Sequence, residues 1–317
     1  MAQSFDTLAG LVQFNDKNLA ELDITDLLQD APLLQVLHAQ VASNGTLHKY
    51  LKQTTASSAA FRAALAGLDK TASADTLVTD TLAIMDGSFH SDVALAQSAK
   101  NGIDAYLATE LFRTMKTIMF AMEQQIYYGV DTPGDATGFP GLRDNTQLDA
   151  VADTMVYNAG GTSSTAQTSV YLLRSGKDDV SVILGNNGQI VVTEDPKIVP
   201  WYPSASATPT YPAYYVAVNG YSGFQIGGAF SAARICNVHP TDTKAQLTDD
   251  MIYEALALFP AGRQPNLICM NRSALKMLRA SRTAVNATGA PAERPTEVEG
   301  IQIVVTDGLV STEAVET

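Results

Sequence analysis

The sequence predicts an α+β fold with one long helix, one long hairpin and a body of mixed strands and helices. Apolar residues recur at three- and four-residue steps through residues 95–128, which is typical of a long amphipathic helix. Between residues 168 and 238 the pattern changes to short runs rich in valine, isoleucine, leucine and tyrosine, which is typical of strands. Two strand-like runs within residues 46–92 flank an alanine- and serine-rich stretch, which indicates the hairpin.

The composition is that of a globular, acidic chain. Its 317 residues, 46% of them hydrophobic, are enough for one large domain or two smaller ones. The N-terminus has no basic segment followed by an apolar one, and no apolar run approaches the roughly 18 residues of a membrane helix. We therefore expect a cytoplasmic protein without membrane contact. The net charge of −13 argues against specific DNA or RNA binding, which needs a basic patch, but an acidic wall could face packed DNA without adhering to it.

Cysteine and histidine usage predicts no metal site and no cofactor. The two cysteines, Cys236 and Cys269, lie in apolar stretches and are predicted to be buried free thiols. The four histidines are far apart in the sequence and form no metal-binding spacing. They are His38, His48, His90 and His239.

The N-terminal third predicts an arm, a short helix and the hairpin. Residues 1–23 are expected to be an extended arm, and the apolar spacing from Ile24 to Val41 predicts a helix that Pro32 kinks. Thr46–Gln53 and Thr76–Met85 are predicted as the hairpin strands, with a tip that carries Phe61, Leu65 and Leu68 at helical spacing.

This hairpin has no local core to pack on. A two-stranded hairpin is marginally stable in water unless it packs against something else. We therefore expect it to lie on a neighbouring molecule; the alternative is a hairpin that folds back onto its own domain. The predicted subunit-interface residues are Leu47, Leu51, Phe61, Leu65, Leu77 and Met85.

The remaining elements are predicted from capping and turn signals. Residues 95–128 form a strut of about 45 Å that Gly129 ends. A helix is expected over 244–259, with Thr243 and Gln246 as its capping box, and 284–297 are expected to be mobile. The other predicted elements are the strands Ser169–Arg174, Val180–Leu184, Gln189–Thr193, Tyr214–Val218, Phe224–Ile226, Asn266–Met270 and Gly300–Thr306, and the helix Asn271–Leu278.

Motifs for catalysis are incomplete. Ser273 and Lys276 match the spacing of serine acyl-transfer enzymes, but the other motifs of those enzymes are absent from the sequence. Ser222 lies one residue short of a nucleophile elbow, and the glycine-rich stretch 160–164 lacks the lysine of a phosphate-binding loop. No enzymatic activity is expected; a hydrolase with a Ser–His–acid triad is kept as an alternative.

The order of these parts resembles the Hong Kong 97-like fold of tailed-bacteriophage major capsid proteins. Ile126-Tyr-Tyr-Gly129 followed by Gly138-Phe-Pro-Gly-Leu142 resembles the link after the family's spine helix, and Phe224–Val238 resembles its peripheral-domain sheet. Met270-Asn-Arg272 before a helix, and Gly300-Ile-Gln-Ile303, resemble its axial domain. The axial elements follow the sheet strands here, an order that resembles a permuted variant of the fold.

The resemblance implies a shell subunit that forms hexamers and pentamers in an icosahedral head around double-stranded DNA, in the virion capsid after assembly in the host cytoplasm. Portal and scaffolding proteins are the implied partners, and a decoration protein is left open. The alternative is an encapsulin-like shell protein of a bacterial nanocompartment that encloses an enzyme. The implied segments are an arm (1–44), an extended loop (45–94), a spine helix with its link (95–150), a peripheral-domain sheet (151–238) and an axial domain (239–317).

Overall fold

The computed structural model describes residues 31–67, 71–100, 102–188, 190–192, 196–202, 210–285 and 290–317. The chain forms two compact units. The first contains residues 84–122 and 189–220, and the second contains 31–83, 123–188 and 221–317.

The described helices are α1 (Leu33–Val36), α2 (Val93–Ser98), α3 (Ile103–Tyr128), α4 (Asp249–Ala257) and α5 (Arg272–Ala284), with a 3₁₀ turn at Asn186–Gly188. The described strands are β1 (Ala39–Val41), β2 (Leu47–Thr55), β3 (Ala74–Thr81), β4 (Ala83–Asp86), β5 (Phe89–Asp92), β6 (Val156–Asn158), β7 (Thr168–Leu173), β8 (Val180–Leu184), β9 (Val191–Val192), β10 (Lys197–Trp201), β11 (Tyr211–Val216), β12 (Val218–Ile226), β13 (Ala232–Val238), β14 (Leu267–Met270), β15 (Glu297–Val298) and β16 (Ile301–Val305).

The first unit packs α2 and the first five turns of α3 with a three-stranded antiparallel sheet of order β10-β11-β5. Its core contains two clusters, one around Tyr106 and Leu107 and one around Ile118, Val216 and Val218. The start of β12 also lies in this unit, where Val218 and Asn219 pair with β9. The apolar spacing of the long helix is therefore explained by burial of one face.

The second unit is built on a six-stranded sheet of order β15-β16-β14-β7-β13-β6. Every residue of β7, β13 and β14 is buried, so these strands are covered on both faces and their sequences show no alternation of apolar and polar residues. The end of α3 packs on this sheet, with the Tyr127 ring 5.5 Å from the Tyr171 ring. A second sheet joins β1, β8 and the end of β12.

Arg234 is a fully buried charge in this unit. Its Nη2 lies 2.8 Å from Glu316 Oε1, its Nε donates to the Ser169 hydroxyl at 3.1 Å, and its Nη1 donates to the carbonyls of residues 148 and 149. Glu313 Oε2 lies 3.6 Å away. The guanidinium therefore ties three separate chain segments to β13.

Several predicted elements are confirmed. Strands β7, β8, β14 and β16 and helix α5 lie where the sequence predicts them, and Gly129 ends α3 with φ of +58°. Asn271 caps α5, because its side chain accepts a hydrogen bond from the Ala274 N–H at 2.8 Å.

The helix predicted over Ile24–Val41 is wrong in its described part. Only Leu33–Val36 are helical, and Ala39–Val41 form β1. The cause is tertiary pairing: β1 is parallel to β8, with Gln40 opposite Ile183, and this pairing overrides the local apolar spacing. Residues 24–30 lie outside the described ranges.

The strut helix and the later helix are both shorter than predicted. Gly102, with φ of +88°, separates α2 from α3, so the helix has 26 residues and spans about 39 Å. Helix α4 begins at Asp249 because Thr248, not Thr243, accepts a hydrogen bond from the Met251 N–H. The predicted strand Gln189–Thr193 is reduced to β9, and its two end residues lie outside the described ranges.

The predicted boundary between residues 238 and 239 is not a boundary in the structure. Strands from both predicted segments share the six-stranded sheet, where β7 lies between β13 and β14. Strands β10 and β11, also assigned to the peripheral sheet, belong to the first unit. The division of the chain into five segments stays a prediction.

Glu123 is a buried carboxyl in the second unit. It is 0% exposed, and its Oε2 accepts a hydrogen bond from the Leu33 N–H at 3.1 Å, while the Thr306 hydroxyl bonds to Oε1. Burial raises the pKa of Glu123 to about 7; the hydrogen bonds oppose this shift, and the carboxylate of Asp307 adds to it. The folded chain therefore keeps the Glu123 proton up to a higher pH than the unfolded chain does.

This raised pKa predicts that the subunit loses stability as pH rises from about 4.5 to above 7. In that window the unfolded chain releases the proton while the folded chain keeps it, so unfolding is favoured. A rise of the pKa from 4.5 to about 7 corresponds to about 3 kcal/mol of stability lost across this window. We expect Glu123→Gln to remove this loss in urea unfolding of the unassembled subunit at pH 5 and pH 8. The exposed Glu254→Gln is the control, and an unchanged pH slope in the Glu123 variant would contradict the assignment.

Candidate subunit interface

The hairpin of β2 and β3 has two different faces. In its antiparallel register, Leu47 lies opposite Thr81, Tyr50 opposite Val78, and Leu51 opposite Leu77. Because successive side chains point to opposite faces of a strand, Tyr50 and Val78 share one face and Leu51 and Leu77 share the other. The two faces have different surroundings.

The inner face is attached to the second unit by hydrogen bonds. His48 is 8% exposed; its Nδ1 accepts from the Ser43 N–H, so its Nε2 carries the proton and donates to Gln225 Oε1 at 2.9 Å. Gln40 Nε2 donates to the same oxygen at 2.7 Å. The Tyr50 hydroxyl approaches the Ile226 carbonyl at 3.4 Å. The base of the hairpin is therefore fixed to its own chain.

The inner face also contains a hydrogen bond between a carboxyl group and a phenol. Asp80 bonds to Tyr50, and burial raises the pKa of both groups, with the neighbouring carboxylate adding to the rise in Tyr50. This contact lies beside the His48 anchor, because His48 and Asp80 are directly opposed in the register.

The outer face carries an apolar pair in solvent. Leu51 is 69% exposed and Leu77 is 57% exposed, although they are cross-strand neighbours. Such a pair stabilises a sheet when it is covered, and here no described residue covers it. Lys49 and Thr79 are the next residues on the same face, and both are exposed.

The tip of the hairpin exposes two large apolar side chains completely. The exposed fraction is 107% for Phe61 and 104% for Leu65, so both residues are fully open to solvent. Leu65 also has φ of +67°, in the left-handed region. This backbone conformation costs free energy for a residue such as leucine, whereas glycine and asparagine adopt it readily. The helical spacing predicted for Phe61 and Leu65 is not realised as a helix, and Leu68 lies outside the described residues.

The six predicted interface residues do not lie together. Leu51, Phe61, Leu65 and Leu77 are exposed on the hairpin, and Leu47 is half-buried at its base. Met85 lies on β4 in the first unit, packed with the cluster around Ile118, Val216 and Val218.

Ile84, which the sequence reasoning missed, is the exposed apolar residue of β4. It is 69% exposed, whereas its neighbour Met85 is turned inward. The alternation of side chains along a strand distinguishes the exposed Ile84 from the inward-facing Met85. Which of the two faces inward can be assigned only when the partner strand is known.

The residues with a possible chemical role, both cysteines and Ser222, are buried in the structure. Among them, histidine, cysteine, aspartate and glutamate form no group of three or more that could hold a metal ion. Both cysteines are buried, and burial raises their thiol pKa, which for Cys236 is about 11. Ser222 is 3% exposed within β12. Over the described ranges, no helix is both long and apolar enough to cross a bilayer.

The fold is similar to that of solved phage structures. A chain from the near-atomic structure of bacteriophage Epsilon15 matches with a TM-score of 0.72 at 17% identity, covering 100% of this chain and 98% of that one. A chain of the bacteriophage JBD30 capsid matches with a TM-score of 0.54 at 11% identity, covering 95% and 98%. No curated protein sequence matches the chain.

These likenesses show the fold of the protein, which is the Hong Kong 97-like fold of phage capsid chains. The family follows from the sequence itself, since the model of the major capsid protein GP7 family matches residues 16–316. The chain belongs to that family. It is a major capsid protein of the tailed-phage type, located in the virion capsid.

Proposed function

We propose that the protein assembles as hexamers and pentamers into an icosahedral head shell that encloses double-stranded DNA, and that it has no catalytic activity. The hairpin is the assembly element, laid across an adjacent subunit. One observation carries this proposal: the hairpin is fixed at its base but exposes Leu51, Leu77, Phe61 and Leu65. Covering such apolar area contributes about 25 cal/mol per Å².

Portal and scaffolding proteins are the further partners in this proposal. The net charge of −13 suits a wall around DNA, because like charges keep the polymer from adhering. Whether purified particles contain DNA or protein cargo separates a phage head from an enzyme-filled compartment.

Deletion of residues 56–70 tests the assembly role of the hairpin. Thr55 pairs with Ala74, so the deletion leaves Thr71, Ala72 and Ser73 as a three-residue loop that can close the shortened hairpin. We expect a folded subunit that forms few or no particles in negative-stain electron microscopy. Far-ultraviolet circular dichroism and the unfolding midpoint of the unassembled subunit are the controls for folding. Normal particles from the deletion would count against the proposal.

A further inference from the structure

The three-stranded sheet of the first unit has one face buried in the core of that unit. Because side chains alternate along a strand, the register of β11 with β5 places Phe89, Tyr214 and Val216 on the same face. Phe89 and Tyr214 pack against the cluster around Tyr106 and Leu107, and Val216 belongs to the other core cluster. The residues between them in each strand therefore point to the opposite face of the sheet.

The opposite face contains a group of aromatic rings, here called the platform (His90, Trp201, Tyr211 and Tyr215). Trp201 lies opposite Tyr211 in the register, and Tyr215 lies opposite His90. Trp201 is 36% exposed, and the other three residues are half-buried. Aromatic rings that stay in contact with solvent on a folded chain are typical of a binding surface, because they offer a large apolar area with a polar edge.

The platform is held rigidly by its own packing. The rings of Trp201 and His90, which belong to the two outer strands, stack with their centroids 4.0 Å apart and an angle of 30° between them. On the middle strand, Ala213 lies on the same face between them; its small side chain leaves room for the stack and is 0% exposed. Pro200 and Pro212 are directly opposed beside this stack, and proline fixes the backbone φ of both strands. A surface held in this way loses little conformational entropy when it binds a ligand.

The charges on the platform face cancel. Its one basic side chain is the exposed Lys197, and its one acidic side chain is Asp92, which caps α2 by accepting a hydrogen bond from the Ala94 N–H at 2.8 Å. Binding of single-stranded nucleic acid by stacking also needs a basic groove for the phosphates, and one lysine in a chain of net charge −13 does not provide it. The electrostatics of this face therefore suit a neutral ligand.

Polar groups lie in a row next to the exposed indole. Lys197, Tyr215 and His90 are paired in one row across the three strands, so an ammonium, a phenol hydroxyl and an imidazole are neighbours on the platform face. A pyranose ring presents C–H groups on its face and hydroxyls around its edge. The C–H face can stack on an indole, and the hydroxyls can bond to donors and acceptors of these three kinds. A flat apolar surface with a few polar groups at one side is therefore complementary to a neutral sugar.

We propose that the platform binds a neutral glycan, with a pyranose ring on the exposed part of the Trp201 indole and its hydroxyls at the row formed by Lys197, Tyr215 and His90. This inference goes beyond the proposed function, because shell assembly needs no ligand on this face. It gives the subunit a surface that would attach particles to a polysaccharide.

Tryptophan fluorescence tests the binding directly, because Trp201 is the sole tryptophan of the chain. The unassembled subunit and the assembled particles are titrated with maltohexaose, cellohexaose and mannohexaose. We expect a saturable change in the emission of Trp201 with at least one of these sugars, in the subunit and in the particles alike. No change with any of the three, or a change in the subunit alone, would overturn the proposal. A saturable change with oligothymidylate but with none of the sugars would also overturn it, in favour of a nucleic-acid surface.

Substitutions locate the site. Trp201→Ala is expected to weaken binding of the active sugar by about tenfold in calorimetry, whereas Trp201→Phe keeps a ring and most of the affinity. Lys197→Met keeps the fluorophore, lies at an exposed position and is expected to weaken binding by about threefold, so the test stands even if loss of the stack unfolds the Trp201→Ala subunit. Tyr253→Ala is the matched control, an aromatic residue 43% exposed in the second unit, and is expected to bind like wild type. Unchanged affinity in folded Trp201→Ala and in Lys197→Met would overturn the platform as the site.

Discussion

Arg234→Met is expected to lower the free energy of unfolding of the subunit by about 3–5 kcal/mol, because removal of the guanidinium leaves the buried Glu313 carboxylate without its cationic partner. Glu316 Oε1 and the Ser169 hydroxyl lose a donor, and so do the carbonyls of residues 148 and 149. The methionine side chain has a length similar to that of arginine but donates no hydrogen bond. Chemical unfolding of the unassembled subunit measures the loss, since assembly would add stability by mass action.

The matched control is Arg272→Met. The Arg272 side chain is 80% exposed and lies 3.3 Å from Asp307, so its loss is expected to cost less than about 1 kcal/mol. Equal losses in the two variants would refute the role given to the Arg234 cluster. A combined Arg234→Met and Glu313→Gln variant is expected to recover part of the stability, because the buried carboxylate that lost its cation is made neutral.

The double variant Phe61→Ser with Leu65→Ser is expected to lower particle yield at least tenfold without lowering the stability of the unassembled subunit. Both side chains are fully exposed in the free chain, so their replacement removes nothing from its core. Each large apolar side chain that becomes covered contributes about 1.5–3 kcal/mol to the free energy of assembly. Light scattering during assembly measures the yield, and urea unfolding measures the stability.

Ala59→Ser with Ala63→Ser is the control within the same tip. It introduces the same hydroxyls at two exposed alanines but removes little apolar area, so assembly close to wild type is expected. If the two double variants assemble equally well, the tip does not make the apolar contact.

The hairpin could be predicted from sequence because its signals are local. Alternation in two runs and an alanine- and serine-rich tip between them suffice for β2 and β3, and the exposure of Leu51 and Leu77 follows from the absence of apolar residues nearby to cover them. Met85 was assigned to the wrong surroundings because the chain changes partners at the buried Leu82, between β3 and β4. Local alternation contains no information about such a change.

The other errors and omissions have long-range causes. Strand β1 depends on β8, and Gln40 and Ile183, which pair there, are far apart in the sequence. The burial of Arg234 depends on Glu316 in the same way.

The hairpin is a ribbon of only two strands, and among the described residues no third strand pairs with it. Its two outer edges therefore have no partner strand among the described residues, and such edges are templates for uncontrolled strand addition. Lys49 and Lys52 interrupt the apolar sequence of β2 and discourage this, as charged residues do on other exposed edges. When the subunit is overproduced alone, aggregation into fibres therefore competes with assembly of the shell. Loss of these two lysines would favour the fibres.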